Sequence, residues 1–208
     1  SVGIPSIIMG SISSVMTFGM NKIIIVFTST ATAVFGIYFK LQSFVFMPVF
    51  GLNNGMVPIV SYNYGAQNKK RLTKTIKLAI MYAVCIMFIG IMLFQFIPDV
   101  LLKLFDASDH MLEIGIPALR VISLSFAFAG ICIVISSSLQ ALGHGFLSMM
   151  ISITRQLIIL LPSAYILAKF GGIHAVWWSF NIAEIGSLTL SLLFFKHMYN
   201  KIIKHLGE

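Results

Sequence analysis

Five charged side chains lie inside stretches of sequence that are otherwise apolar: Lys22, Lys40, Arg120, Arg155 and Glu184. A charge in an apolar environment is costly unless it is paired or lines a hydrated cavity, so such residues often mark functional positions. Glu184 is the one carboxylate among the five. The chemistry that this set suggests is therefore the binding of ions or the exchange of a proton.

Arg155 and Glu184 are predicted to lie near the middle of two adjacent helices that run in opposite directions. An ion pair between them would cost less than either charge alone. Two roles are open for this pair. It locks the fifth helix onto the sixth, or it acts as a protonation switch.

Lys22, Lys40 and Arg120 are predicted to reach one common level in the outer part of the membrane, at about 1.5 Å of helix rise per residue. Long basic side chains can extend along apolar surface to the interface. Alternatively, these cations line an outward-open, water-filled cavity or pair with acids that lie outside this chain. The polar residues that complete the candidate substrate and cation pathway are Asn21, Gln42, Gln156 and Asn181.

The elements that position these residues follow from composition. The chain is 58% hydrophobic and 10% charged, with a mean hydropathy of +0.97, whereas about a quarter of the residues in soluble domains are charged. A membrane-spanning helix needs about 20 apolar residues. The sequence therefore predicts an all-α, polytopic membrane helix bundle with six spans in a single lobe, at about residues 4–28, 34–61, 77–97, 113–139, 146–168 and 174–195.

Several function classes are disfavoured. The basic residues fall between apolar segments rather than in the aromatic-interleaved stripe of a nucleic-acid-binding face. The nucleotide, phosphate, zinc-protease and hydrolase motifs GxGxxG, GxxxxGK, HExxH and GxSxG are missing, so we predict that the protein is not an enzyme. Cys85 and Cys132 have no CxxC spacing and no histidine at ligand distance, so we predict neither a disulfide nor a metal site.

The distribution of charge predicts the orientation. Lysine and arginine collect in short cytoplasmic loops, and the loop after the second span carries Lys69, Lys70, Arg71, Lys74 and Lys77, while the connection after the third is acidic. Both ends of the chain are therefore expected on the cytoplasmic side of the plasma membrane. The basic loop is at minimum a topology determinant, and a resting place on anionic headgroups is a further possibility.

The chain begins at Ser1, with neither a methionine nor a basic region before its first apolar run. This run is therefore not expected to be a signal peptide. The same feature suggests that the sequence is a piece of a longer protein.

One stretch, "FGIYFKLQSFVFMPVFGLNNGMVPIVSYNYGAQNKKRLTKTIKLA", resembles the multidrug and toxic compound extrusion (MATE) transporters. Gly65, Ala66, Asn68 and Arg71 match the Gly-Ala-x-Asn-x-x-Arg loop of that family. The segments "ITRQLIILLPSAYIL" and "GGIHAVWWSFNIAEI" are similar to the fifth and sixth helices of the family's second half. The resemblance covers nearly the whole chain.

The resemblance implies one lobe of a twelve-helix transporter, with the N-terminal lobe absent from this chain. Such a protein exports organic cations or amphipathic drugs by alternating access, in exchange for sodium or protons, and needs no cofactor beyond the coupling ion. Its partners are the lipid bilayer, the other lobe and a small substrate. In the inner-face loop, Asn68 and Arg71 are expected to hold the inner gate through hydrogen bonds.

Two points stay open. Some branches of the family carry coupling carboxylates in the first and fourth helices of this half, where this chain has none, so coupling rests on Glu184, on acids in the other half, or on both. The branch that this chain most resembles favours a coupling acid in the other half, with Glu184 in support. The alternative functions are a lipid-linked sugar flippase of related fold, for which the intramembrane cations are suggestive, and a non-transporting membrane scaffold. The sequence specifies neither the substrate nor the coupling ion.

Overall fold

The computed structural model describes residues 3–208, which form helices and no strands. Within these residues nine α-helices follow one another, with a π-helix between the seventh and eighth and a short 3-10 turn at the end. Their bounds are α1 Gly3–Ile25, α2 Ser29–Gly65, α3 Lys69–Phe96, α4 Pro98–Lys103, α5 Asp109–Ser123, α6 Phe126–Ala141, α7 Gly145–Ile153, the π-helix Thr154–Leu160, α8 Leu161–Val176, α9 Trp178–Lys201 and the 3-10 turn Ile203–His205.

The predicted membrane helix bundle is confirmed. Five helical segments within residues 3–208 are long and apolar enough to cross a membrane, and the bent pair α5–α6 makes a sixth if it counts as one span. The fifth span consists of α7, the π-helix and α8. The helix α2 runs unbroken through Pro48 and Pro58.

The fourth span bends by 50° between α5 and α6. At this joint the backbone carbonyls of Arg120 and Val121 accept hydrogen bonds from other helices, from Gln95 Nε2 at 2.6 Å and from Asn181 Nδ2 at 2.9 Å. The Ser125 hydroxyl donates to the Ile122 carbonyl at 2.7 Å. The Val121 and Ile122 carbonyls also accept the N–H groups of Leu124 and Ser125. Side chains and short backbone bonds together thus satisfy the carbonyls at the joint, as a broken helix within a membrane requires.

The end of the fifth span depends on a glycine. Gly172 lies within α8 at φ 75° and ψ −168°, a backbone region that is essentially restricted to glycine. The helical path breaks there. Residues 173–176 resume the helix after this break, at the position predicted for the start of the sixth span, and α9 begins at Trp178.

The core forms where α3 packs against α2 and α6. Helices in membranes approach closely through small residues, and a Cβ added at Gly130 would lie 2.9 Å from Met87 Cγ and 3.3 Å from the Ala83 carbonyl oxygen. Phe126 contacts Phe94 and Phe46 edge-on, with ring centroids 5.1 and 5.3 Å apart. These contacts hold together the helices on one side of the candidate functional site.

Candidate functional site

A cavity of about 390 Å³ opens between α1, α2, α6, α7, the π-helix and α9. Four of the residues that the sequence predicts for the substrate and cation pathway line it: Gln42, Arg155, Gln156 and Glu184. They come from three separate helical segments, α2, the π-helix and α9. The fold therefore collects them at one place, which we call the central cavity.

The predicted ion pair between Arg155 and Glu184 is confirmed. Arg155 Nη1 lies 3.7 Å from Glu184 Oε1, and the two side chains are 24% and 14% exposed. The pair joins the π-helix of the fifth span to α9 of the sixth. Its partial exposure to the central cavity keeps both charges within reach of a bound molecule.

Three lining residues each hold a buried acceptor oxygen that has no hydrogen-bond partner within residues 3–208: Gln42 Oε1, Gln156 Oε1 and Glu184 Oε2. Gln156 itself is only 7% exposed. Leaving a buried acceptor unpaired costs roughly 1–3 kcal/mol. If these side chains rotate toward the cavity, a ligand that donates hydrogen bonds or carries positive charge recovers this free energy, so the cavity is suited to such a ligand.

Arg155 and Gln156, which are neighbours in sequence, lie in the π-helix, and both line the cavity. Pro162 follows in the first turn of α8 and has no backbone N–H to donate to the preceding turn. The local hydrogen-bond pattern is therefore open to the wider π form, which is often found at functional sites. The sequence motif "ITRQLIILLPSAYIL" contains this feature.

The remaining walls of the cavity combine hydroxyl groups with aromatic rings. Aromatic faces attract organic cations, and a mostly apolar pocket with a few polar groups is typical of sites for small molecules. Sequence reasoning missed the aromatic wall, although Phe39, Gln42, Phe46 and Phe50 recur at the three- and four-residue spacing of one helix face. Hydroxyl and aromatic lining residues include Ser13, Thr17, Ser136, Ser137, Ser152, Phe39, Phe46, Phe50 and Phe180.

The other predicted cations do not line the central cavity. Lys22, Lys40 and Arg120 are all exposed on the lobe. Lys22 Nζ lies 4.8 Å from the centroid of the Phe18 ring, and Lys40 Nζ lies 5.7 Å from that of Phe105. These contacts are those expected of lysine side chains that lie along the surface, and the alternatives of a hydrated outward-open cavity or of partner acids outside this chain stay predictions.

Two polar residues of the predicted pathway also lie outside the central cavity. Asn21 on α1 is half-buried. Asn181 is buried, and its side-chain amide donates to the Val121 carbonyl at the joint between α5 and α6. Asn181 therefore supports the bent fourth span.

The loop motif joins α2 to α3 as a tight turn. Gly65 ends α2, and the Ala66 N–H donates to the Tyr62 carbonyl at 2.9 Å. The residue in the left-handed region is Gln67, with φ 56°. Asn68 then caps α3, because its Oδ1 accepts from the Arg71 N–H at 3.1 Å, a common way to begin a helix. The predicted role of Asn68 and Arg71 at an inner gate stays a prediction.

A helical membrane lobe with a polar and aromatic cavity among its spans is the architecture of a membrane transport protein. The MatE family model matches residues 5–166, more than half of the chain. The chain belongs to this family, the MATE transporters, which are not enzymes. The family predicted from the loop and helix motifs is thereby confirmed.

Relatives and solved structures agree with this assignment. The chain is 27% identical over 206 residues to the Multidrug export protein MepA of Staphylococcus haemolyticus, covering 97% of this chain and 44% of that protein. It is similar in fold to an outward-facing multidrug resistance MATE family transporter of the MOP superfamily, with a TM-score of 0.91 and 22% identity. That match covers 98% of this chain and 46% of the transporter. A structure of an inward-facing multidrug resistance MATE family transporter matches with a TM-score of 0.91 and 21% identity, and the match covers 98% of this chain and 48% of that transporter. The chain thus spans less than half the length of these proteins.

Proposed function

We propose that this chain is the second lobe of a secondary active multidrug exporter in the plasma membrane. The complete transporter exports organic cations or amphipathic drugs in exchange for sodium or protons. The name of the relative, a multidrug export protein, supports this proposal. Both ends of the chain lie on the cytoplasmic side in this account, because the basic loop after the second span belongs there.

One observation carries the proposal: the central cavity places a single carboxylate, Glu184, among aromatic rings and unpaired acceptor oxygens. An organic cation gains from each of these groups, through charge, cation–π contact and hydrogen bonding. The apolar parts of a drug pack on the phenylalanine side chains. The geometry therefore fits a substrate with positive charge and an aromatic or aliphatic body.

Exchange follows from competition for Glu184. A substrate cation and a coupling sodium ion or proton both neutralise the same carboxylate, so binding of one weakens binding of the other. Arg155 lies 3.7 Å from Glu184, so either cation competes with the guanidinium for this carboxylate. Occupancy then alternates between drug and ion, which is what antiport requires.

Alternating access in this proposal uses two lobes. Repeat transporters form their substrate site at the interface of two halves, and one half moves against the other. The fold of this chain matches the outward-facing and the inward-facing neighbour with the same TM-score. That similarity supports a lobe that moves as a unit against its partner half.

The alternative of a lipid-linked sugar flippase has no support in the site. A pyrophosphate group calls for several convergent cations. Among the residues that line the central cavity, Arg155 is the one lysine or arginine. A scaffold role is likewise not favoured, because a packed scaffold would fill the volume that the cavity leaves open.

The experiment is an efflux assay in cells that express the complete transporter and that are loaded with a fluorescent organic cation. Gln156→Trp fills the central cavity and is expected to abolish efflux. Ile158→Trp is the matched control, since it adds the same side chain to the same π-helix at a residue that is 59% exposed and does not line the cavity. Equal efflux by the two variants would refute the assignment of this cavity to the substrate. Transport of a lipid-linked sugar instead of the dye would refute the exporter.

A further inference from the structure

A second cleft, of about 680 Å³, lies where the N-terminal end of α3 meets the C-terminal part of α9. Its volume is separate from the central cavity, and the two share no lining residue. Four lysines line it within two turns of α3. We call it the lysine cleft; it is lined by Lys69, Lys70, Thr73, Lys74, Lys77, Leu78, Met81 and Tyr199.

The positive charge of the lysine cleft is uncompensated by the described protein. The sequence has no aspartate or glutamate before Asp99, and α3 contains none. Within residues 3–208, none of the four lysines forms a salt bridge. The N-terminus of α3 adds a partial positive charge of about half a unit. These like charges repel one another, so an external anion stabilises this end of the bundle.

One edge of the cleft is apolar. Leu78 and Met81 are 38% and 50% exposed, and they lie on α3 just beyond the last lysine of the cluster, Lys77. From this point the helix enters its continuous apolar run. A small soluble anion would leave that edge uncovered. A ligand that matches the whole cleft carries a negative group next to a hydrocarbon chain.

Neighbouring contacts fix the shape of the cleft. Lys69 Nζ donates to the Lys204 carbonyl at 3.1 Å and lies 5.9 Å from the centroid of the Tyr199 ring. Ile203 and Leu206, on either side of Lys204, are buried in the core. The C-terminal segment therefore holds Lys69 in place, while Lys70, Lys74 and Lys77 are exposed and unpaired.

A polar group completes the cleft. The Thr73 hydroxyl is buried and has no hydrogen-bond partner within residues 3–208, and it lies one turn from Lys70 and next to Lys74 in sequence. A hydroxyl donor beside two ammonium groups suits the oxygens of a phosphodiester. Its unpaired state is relieved when such an oxygen binds.

We propose that the lysine cleft binds an anionic phospholipid of the membrane leaflet that faces it. Lys70, Lys74 and the Thr73 hydroxyl hold the phosphate group, Lys77 adds charge at the membrane edge, and an acyl chain lies over Leu78 and Met81. Basic clusters beside a membrane span attract anionic lipid. In the orientation proposed above, this is the cytoplasmic leaflet. The lysine cleft is separate from the substrate cavity. The positive-inside effect would need the charge of these lysines but no cleft between the helices, so it does not account for the cleft.

The test measures lipid binding by the purified complete transporter, without transport, so its result does not depend on the exporter assignment. Native mass spectrometry counts phosphatidylglycerol and phosphatidylcholine molecules retained as each lipid is titrated. Lys70→Gln/Lys74→Gln is expected to weaken phosphatidylglycerol binding about 30-fold, at roughly a fivefold loss per lysine. Phosphatidylcholine binding is expected to stay unchanged.

The matched control is Lys196→Gln/Lys201→Gln, which removes the same charge from exposed positions on α9 that do not line the cleft. It is expected to retain phosphatidylglycerol affinity, as is Lys70→Arg/Lys74→Arg. Equal weakening by the two glutamine pairs would overturn the proposal in favour of nonspecific charge attraction. Competition by inorganic phosphate as strong as that by phosphatidylglycerol would overturn it in favour of a soluble anion. If the double variant is not recovered folded, Lys70→Gln alone is compared with Lys201→Gln under the same criteria.

Discussion

Among single residues, Arg155 and Glu184 depend most strongly on each other. Each charge is mostly removed from solvent, and each has the other as its partner at 3.7 Å. Breaking such a pair leaves an uncompensated charge, whereas replacing both partners by apolar residues is much better tolerated. The stability of the lobe therefore depends on the pair being complete or wholly absent.

We predict that Arg155→Leu and Glu184→Leu each destabilise the complete transporter, and that the double variant loses less stability than the two single losses combined. The expected coupling in the free energy of unfolding is about 1–3 kcal/mol. Denaturant titration in detergent of all four proteins measures this cycle. Strictly additive losses would show that the two side chains do not interact.

Asn181 stabilises the joint between α5 and α6. Asn181→Leu removes the hydrogen bond to the Val121 carbonyl and is expected to lower the free energy of unfolding by about 1 kcal/mol. The relative efflux of two different drugs should stay unchanged, because Asn181 does not line the central cavity. Asn200→Leu, at an exposed position on the same helix, is the control. Altered drug preference in Asn181→Leu alone would place this residue in the pathway after all.

At the scale of elements, close packing of α3 on α6 determines the wall behind the cavity. A side chain at Gly130 meets both Met87 and the backbone of Ala83. Gly130→Val is therefore expected to lower stability by about 1–3 kcal/mol through overpacking. Gly51→Val, at an exposed glycine with nothing within 4 Å of an added Cβ, should have a much smaller effect. Thermal unfolding of both variants checks this, and equal stabilities would contradict the packing described here.

The interruptions of the helices show what sequence patterns leave undetermined. The apolar run over about residues 113–139 predicts one span, yet the chain bends between α5 and α6, where Gln95 and Asn181 bind the carbonyls of Arg120 and Val121. Those donors come from helices that are distant in sequence. Hydropathy therefore predicts the span, whereas the bend depends on tertiary contacts.

At the scale of the whole molecule, the sequence predicts the fold class, the family and the ion pair of the site. What the sequence leaves open is the direction of a side chain around the bundle, because rise per residue gives its depth alone and helix packing determines where it points. Arg155 and Glu184 face each other across two helices. Lys22 and Lys40 each lie beside an aromatic ring outside the central cavity, and their common outer level stays a prediction.

The most direct test of the central claim uses the complete transporter in proteoliposomes. Accumulation of an organic cation is measured under an imposed sodium or proton gradient for Glu184→Gln and for Glu113→Gln, whose carboxylate is exposed and lies outside the cavity. We expect that Glu113→Gln behaves like the unmodified transporter, and that Glu184→Gln loses gradient-driven accumulation while still folding and binding lipid. Unchanged accumulation and unchanged ion dependence in Glu184→Gln would contradict it.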